Sequence, residues 1–214
     1  MPFRLDLTAW ALRRRAHNAI DRWDGHAYRR ALLLGEEAVG LSVTQSDTRD
    51  APRLAVTLSG VLIDRRAETI ARAGLDRLLG LTVDLSAFTT LAAGDALIDQ
   101  LARRLSGLKP PRFPTVFEAL VNGIACQQLS LAVGIHLLNR LTAARGRPVP
   151  EDPDGLRAFP GPADLASVAP GELNRMGFSS AKARTIVDTL QRSSPVILIS
   201  NPWSALPTAR RSNA

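Results

Sequence analysis

The chain has 214 residues, 45% of them hydrophobic and 22% charged, enough to bury the core of one or two domains without covalent staples. No apolar run approaches the roughly 18 residues of a membrane-spanning helix, and the first residues lack the pattern of a secretory leader. One cysteine, Cys126, and three scattered histidines, His17, His26 and His136, offer neither an internal disulfide nor a structural zinc site. The expectation is a cytoplasmic protein with no membrane association, no evident protein partner, no cofactor and no metal. The net charge is +7, and of the 27 basic residues only Lys109 and Lys182 are not arginine. Such an excess suits a polyanionic partner, and it suits a merely solvated basic surface equally well.

Taken in chain order, Phe3 to Thr8 alternates and predicts a strand, as do Gly40 to Gln45 and Arg53 to Ser59, while Tyr28 to Leu34 reads as a buried strand. The turn-rich Ser46 to Pro52 makes the last two a hairpin with a long loop. Asp64 to Leu79 predicts a helix with Ile70, Ala71, Leu75, Leu78 and Leu79 inward and Arg65, Arg66, Arg72 and Arg77 towards water. Beyond Gly80 the period is helical. Ser86 suits the cap of a short helix through Leu91, and Asp95 that of another through Leu105. Lys109 to Pro114 is a rigid connection, because its prolines lack amide donors and bias their predecessors to extended backbone.

Thr115-Val116-Phe117-Glu118 fits a capping box, with Phe117, Leu120, Val121 and Ile124 expected inward on the helix that follows. A second long helix spans about Ser130 to Ala144, with Val133, Leu137, Leu138 and Leu141 inward, and stops at Gly146. Arg147 to Pro160 reads as loop. Pro162 and Pro170 suit the first turns of two short helices, Gly177 a helix stop, and Ser180 to Gln191 a last helix. From Ser193 onwards there are three prolines, five serines and no acid, the composition of an irregular tail. Among single residues, Trp10, Trp23 and Phe88 are expected in the core, His136 packed in an apolar helix, and Cys126 a small buried thiol. Arg13 to Arg15 and Arg29-Arg30 are expected on solvated faces, with Glu118 accounted for by capping.

The fold class is therefore α+β: a small amino-terminal antiparallel sheet with a helix (1–80), an all-helical domain (81–192) and the tail (193–214). The run Arg112-Phe113-Pro114-Thr115-Val116-Phe117-Glu118-Ala119-Leu120-Val121-Asn122-Gly123-Ile124-Ala125-Cys126-Gln127-Gln128-Leu129-Ser130, with Leu131-Ala132-Val133 after it, carries a more specific signal. It resembles the early helices of the alkylated-base (3-methyladenine) DNA glycosylase II-like family of the helix–hairpin–helix superfamily. Ala19 to Gly25 with Tyr28, Leu79-Gly80-Leu81 with Asp84-Leu85, and Leu173 to Phe178 with Lys182-Ala183-Arg184 agree in order, so the resemblance covers Phe3 to Gln191.

The resemblance implies a base-excision repair protein whose partner is double-stranded DNA containing alkylated bases, flipped out of the stack before hydrolysis of the N-glycosidic bond. It makes Gln128 the wedge that fills the vacated gap, supported by Gln127 and Ser130, because an amide both fills space and replaces base-edge hydrogen bonds. A helix–helix corner capped by two glutamines is the plainer alternative. Lys182 and Arg184 are candidate phosphate contacts or ordinary helix-surface charges. Alkylation at a purine ring nitrogen already activates the leaving base, so a carboxylate beside the sugar is the main chemical requirement. In the family it is an Asp that follows a Gly-rich hairpin. No such hairpin is present, and no Asp or Glu follows Asp188, so no catalytic residue is assigned and the chain is expected to be truncated and inactive alone. The alternatives are a non-catalytic DNA-binding module, a fragment needing a separately encoded catalytic segment, or an unstable relic exposing the apolar faces of the Gln-turn helices.

Overall fold

A computed structural model describes residues 2–46, 51–60 and 64–192; the expected tail at 193–214 and part of the loop after Ser46 lie outside them. The chain runs α1 (Leu5–Arg13), β1 (Arg22–Trp23), β2 (Ala27–Leu34), β3 (Glu37–Ser46), β4 (Arg53–Ser59), α2 (Arg65–Leu79), α3 (Ser86–Ala92) and α4 (Ala96–Arg104). It continues as α5 (Val116–Cys126), α6 (Leu131–Arg145), β5 (Arg147–Pro148), β6 (Arg157–Ala158), α7 (Pro162–Leu165), α8 (Pro170–Arg175) and α9 (Ser180–Arg192). The α+β class stands.

The first segment departs from expectation. Phe3 to Thr8 alternates, yet Leu5, Thr8, Ala9 and Leu12 recur at helical spacing and bury one face of α1. The longer window resolves a period that six residues leave ambiguous. Gln45, at the end of β3, fixes the helix start by accepting from the Leu5 amide at 2.7 Å and donating to the Phe3 carbonyl at 3.0 Å. Trp10 falls on the outer face and is 68% exposed rather than in the core.

β1 to β4 pair in sequence order as an antiparallel sheet. Leu34 pairs with Glu37 across a two-residue turn in which Gly35 adopts a φ of +67°, a conformation that side chains resist. The strand period of two then divides the sheet's faces. Tyr28, Leu32, Leu41 and Val43 pack on α1 and α2 through Leu5, Leu12, Leu75, Leu78 and Leu79. Ala31 and Ala38 face the other way, towards Val149, Leu156 and Ala158. These last residues lie in or beside β5 and β6, so the stretch expected as loop contains a small antiparallel ladder seated on the sheet. Its turn is organised by Asp152, whose Oδ1 accepts from the Asp154 and Leu156 amides.

The helical core is built on α5 and α6, with Phe117, Val121, Ala125, Ile135, Leu138 and Leu141 meeting Phe178, Ala183 and Ile186 of the α9 region. Ile20, from the strand-bearing part of the chain, enters this same core. Leu120 and Val133 lie at its edge, 40% and 44% exposed, not inward. On α5 the buried stripe runs through Glu118, Val121, Asn122 and Ala125, which turns Leu120 outward. His136 is exposed on α6 and stacks against His17 with ring centroids 4.3 Å apart.

Helix starts follow local chemistry with one correction. Asp64, Asp95, Thr115 and Ser130 accept from amides of the first turns of α2, α4, α5 and α6. At α3 it is Asp84 that accepts from the Ser86 amide and hydroxyl, at 3.0 and 2.8 Å, and Ser86 is the first helical residue. α3 and α4 leave Phe88, Leu91, Leu97, Ile98, Leu101 and Leu105 between 42% and 78% exposed. Phe88, Ile98, Leu101 and Leu105 border a groove of about 710 Å³ that reaches Pro110 and Pro111. Phe88 is thus not a core aromatic.

Candidate nucleic-acid interface

The Gln-bearing turn is the junction of α5 and α6. At its start, α5 is capped by Thr115, whose Oγ1 accepts from the Glu118 amide at 3.0 Å. The reciprocal half of the expected capping box does not form, because the Glu118 carboxylate is committed elsewhere. It accepts from Arg30 Nη2 at 2.5 Å, while Arg30 Nη1 donates to Asp21 at 2.6 Å and Tyr28 donates to the same Asp21 oxygen at 2.6 Å. Arg30, expected on a solvated face, is buried between two carboxylates and ties β2 to α5. Burial alone would lower its pKa, and Asp21 and Glu118 more than reverse that, holding the guanidinium charged. Burial raises the pKa of Glu118; Arg30 takes part of that back and the Asp21 carboxylate adds to it. Arg29 is paired with Asp152 and Asp154. Arg14 donates to Asn122 of α5 at 2.8 Å, and Arg13 to the Ala16 carbonyl at 3.0 Å.

At the other end, α5 stops at Cys126. Gln127 is extended (φ −60°, ψ 133°), Gln128 is left-handed at φ +53°, and Ser130 reopens the chain into α6 with Oγ accepting from the Val133 amide at 3.4 Å. Gln127, Gln128, Leu129 and Ser130 are all exposed. A left-handed backbone costs a non-glycine residue about 1–2 kcal/mol, so Gln128 is held there by its surroundings. Such outliers concentrate at functional turns.

Two contacts support the turn from below. A Cβ on Gly134 would lie 2.6 Å from Cys126 Sγ and 3.1 Å from Cys126 Cα, so only glycine lets the start of α6 approach the end of α5 this closely. Cys126 itself is half-buried, less enclosed than expected. Lys182 reaches over from α9, its Nζ donating to the Ala125 carbonyl at 2.8 Å and the Gln127 carbonyl at 2.7 Å. Its pKa is lowered, mainly by burial. Lys182 is therefore placed beneath the turn, while Arg184 lies exposed on the same helix.

Sequence reasoning missed the clamp on the opposite side. Asn139 of α6 donates to the His17 carbonyl at 2.7 Å and accepts from the Ala19 amide at 3.0 Å, laying the segment after α1 along α6. A polar residue on a helix flank carries no one-dimensional sign of this role. Of the residues singled out from sequence, Gln127, Gln128, Ser130 and Lys182 come together at one turn. Glu118 and Asp188 do not join them: Glu118 is buried against Arg30, and Asp188 is exposed on α9.

The arrangement of a sheet-and-helix unit joined to a helical unit is a fold this chain shares with solved DNA glycosylases. Solved structures bear this out at the level of fold. The 3-methyladenine DNA-glycosylase of Archaeoglobus fulgidus superposes with a TM-score of 0.78 and 21% identity, over 92% of this chain and 66% of that one. The Clostridium acetobutylicum 8-oxoguanine glycosylase/lyase, in complex with dsDNA containing cytosine opposite to 8-oxoG, gives a TM-score of 0.58 and 17% identity, over 80% of this chain and 53% of that one. No family model matches. Among curated proteins, the DNA-3-methyladenine glycosylase of Bacillus subtilis (strain 168) is 29% identical over 104 residues, 49% of this chain and 34% of that protein. The resemblance to 3-methyladenine DNA glycosylases read from the sequence is thus borne out, across part of those proteins' length.

Proposed function

We propose that this protein acts in base-excision repair as a DNA glycosylase-type protein. It engages double-stranded DNA at alkylated purines and inserts Gln128 where the damaged base leaves the stack. The observation that carries the reading is the exposed, left-handed Gln128 at a turn braced by Gly134 and Lys182, in a chain sharing its fold with a 3-methyladenine glycosylase. Gln127 and Ser130 shape the turn, and Arg184 is offered as a phosphate contact. The net charge of +7 favours the approach to DNA and makes binding salt-dependent.

We further propose that the 214-residue polypeptide binds without cleaving the N-glycosidic bond by itself. Supporting this, the carboxylate on the turn-bearing helix, Glu118, is enclosed with Arg30, and the carboxylates of Asp64, Asp95 and Asp164 accept backbone amides at helix starts. The test is a gel-shift titration over a range of salt with intact, abasic and methylated duplexes, alongside a base-release assay. Preferential binding to the lesion, weakened about tenfold by Gln128→Ala (about 1.4 kcal/mol), with no release of 3-methyladenine, is the expected result. Robust release overturns the non-catalytic part; no binding at low salt overturns the whole reading.

A further inference from the structure

We infer that Lys182 is a positioning residue for the α5–α6 turn: its ammonium, bonded at once to the Ala125 and Gln127 carbonyls, holds Gln128 exposed and left-handed, and does not itself contact DNA phosphate. The geometry follows from what a helix end lacks. The last four carbonyls of an α-helix have no intrahelical donor, and Ala125 stands within that set, since α5 ends at Cys126. One Lys182 Nζ serves this carbonyl and that of Gln127, the first residue beyond the helix. A cation at a helix carboxyl end also meets the negative end of the dipole.

The second bond sets the backbone. The Gln127 carbonyl belongs to the peptide plane that joins Gln127 to Gln128, and φ of Gln128 is rotation about the bond immediately following that plane. Fixing the carbonyl therefore orients the plane from which the +53° rotation is made. The anchor is itself rigid: Ala183 and Ile186, one and four residues beyond Lys182 on α9, are buried in the helical core. From the opposite side Gly134 admits the end of α5 to within contact of α6. Two of the three ammonium donors are spent on these carbonyls, and partial desolvation of the half-buried group lowers its pKa. Arg184, exposed two residues on, has the placement expected of a phosphate contact.

The consequence for DNA rests on the proposed function; the structural role does not, so two measurements separate them. Amide hydrogen exchange on the free, full-length protein should show the amides at the end of α5, through that of Gln127, which donates to the Gly123 carbonyl at 3.1 Å, exchanging at least tenfold faster in Lys182→Met, with the middle of α6 unchanged. In DNA titrations, Lys182→Met should lose about tenfold of its preference for an abasic over an intact duplex while the slope of log K against log salt stays at the wild-type value. Arg184→Met, in contrast, should reduce that slope by about one. Should Lys182→Met fail to fold by circular dichroism, exchange is read on Lys182→Gln, which keeps a donor and should give an intermediate acceleration. A salt slope lowered by about one with lesion preference intact assigns Lys182 to phosphate and overturns the inference, as does unaltered exchange at the end of α5. A wild-type protein that binds no DNA defeats the functional reading alone, and exchange still decides the role of Lys182.

Discussion

Replacing Arg30 by methionine tests whether the buried ion cluster is the joint between the sheet and the turn-bearing helix. The side chains of Arg30, Asp21 and Glu118 are 1%, 5% and 6% exposed, so methionine fills much of the arginine stem's space but leaves two carboxyl groups enclosed without a counter-charge. Breaking a buried pair in this way costs about 3–5 kcal/mol. Burial already raises the pKa of Glu118, so once Arg30 is gone its carboxyl relieves part of the uncompensated charge by taking a proton more readily. At about 2–4 °C per kcal/mol for a chain of this size, the melting temperature should fall by about 6–20 °C. Differential scanning calorimetry at pH 7 and pH 5 measures it, with a smaller deficit at pH 5, where protonation is easier. Adding Glu118→Gln to Arg30→Met should cost less than the sum of the two single changes, by about 0.5–3 kcal/mol of coupling. A deficit under about 1 kcal/mol that is the same at both pH values would refute the reasoning.

Gly134→Ala places a methyl 2.6 Å from Cys126 Sγ and 3.1 Å from Cys126 Cα, so it should destabilise by about 1–3 kcal/mol in urea unfolding. Cys126→Ala should relieve this only in part, because the close Cα remains. Glu118 and Asp24 should titrate in opposite directions in carbon-detected NMR. The Glu118 carboxyl holds its proton above the ordinary value of 4.5, so its contribution to stability is full below that value and lost as pH rises through the elevated one. Asp24, which accepts from the Ala27 and His26 amides, titrates below the ordinary 3.8, and its contribution is present above that value and lost as pH falls through the lowered one. Replacing Leu97 and Leu101 together by glutamine should markedly reduce binding of a hydrophobic dye while leaving stability within about 1 kcal/mol, since both side chains already face water.

What the sequence makes legible here is set by how local each cause is. The strands β2 to β4, the start of α5 at Thr115 and the prolines opening α7 and α8 depend on neighbours within a few residues, and all form where period and turn chemistry place them. Phe3 to Thr8 misleads because alternation over six residues satisfies both periods, and burial further along α1 decides between them. Glu118 misleads differently. Its capping position is locally right, yet Arg30, 88 residues away, offers a charged donor inside the core, and a carboxylate there is too costly to leave unpaired. Lys182 and Arg184 are indistinguishable as basic residues two apart on one helix, and only the fold turns one beneath the Gln turn and leaves the other in water. The same limit applies to α4, whose amphipathic pattern states that one face is apolar without stating what it meets. Among the described residues Ala102 is half-buried on that helix while Leu97, Ile98, Leu101 and Leu105 are exposed. Periodicity thus identifies a helix and its faces, and tertiary packing alone decides which face is covered.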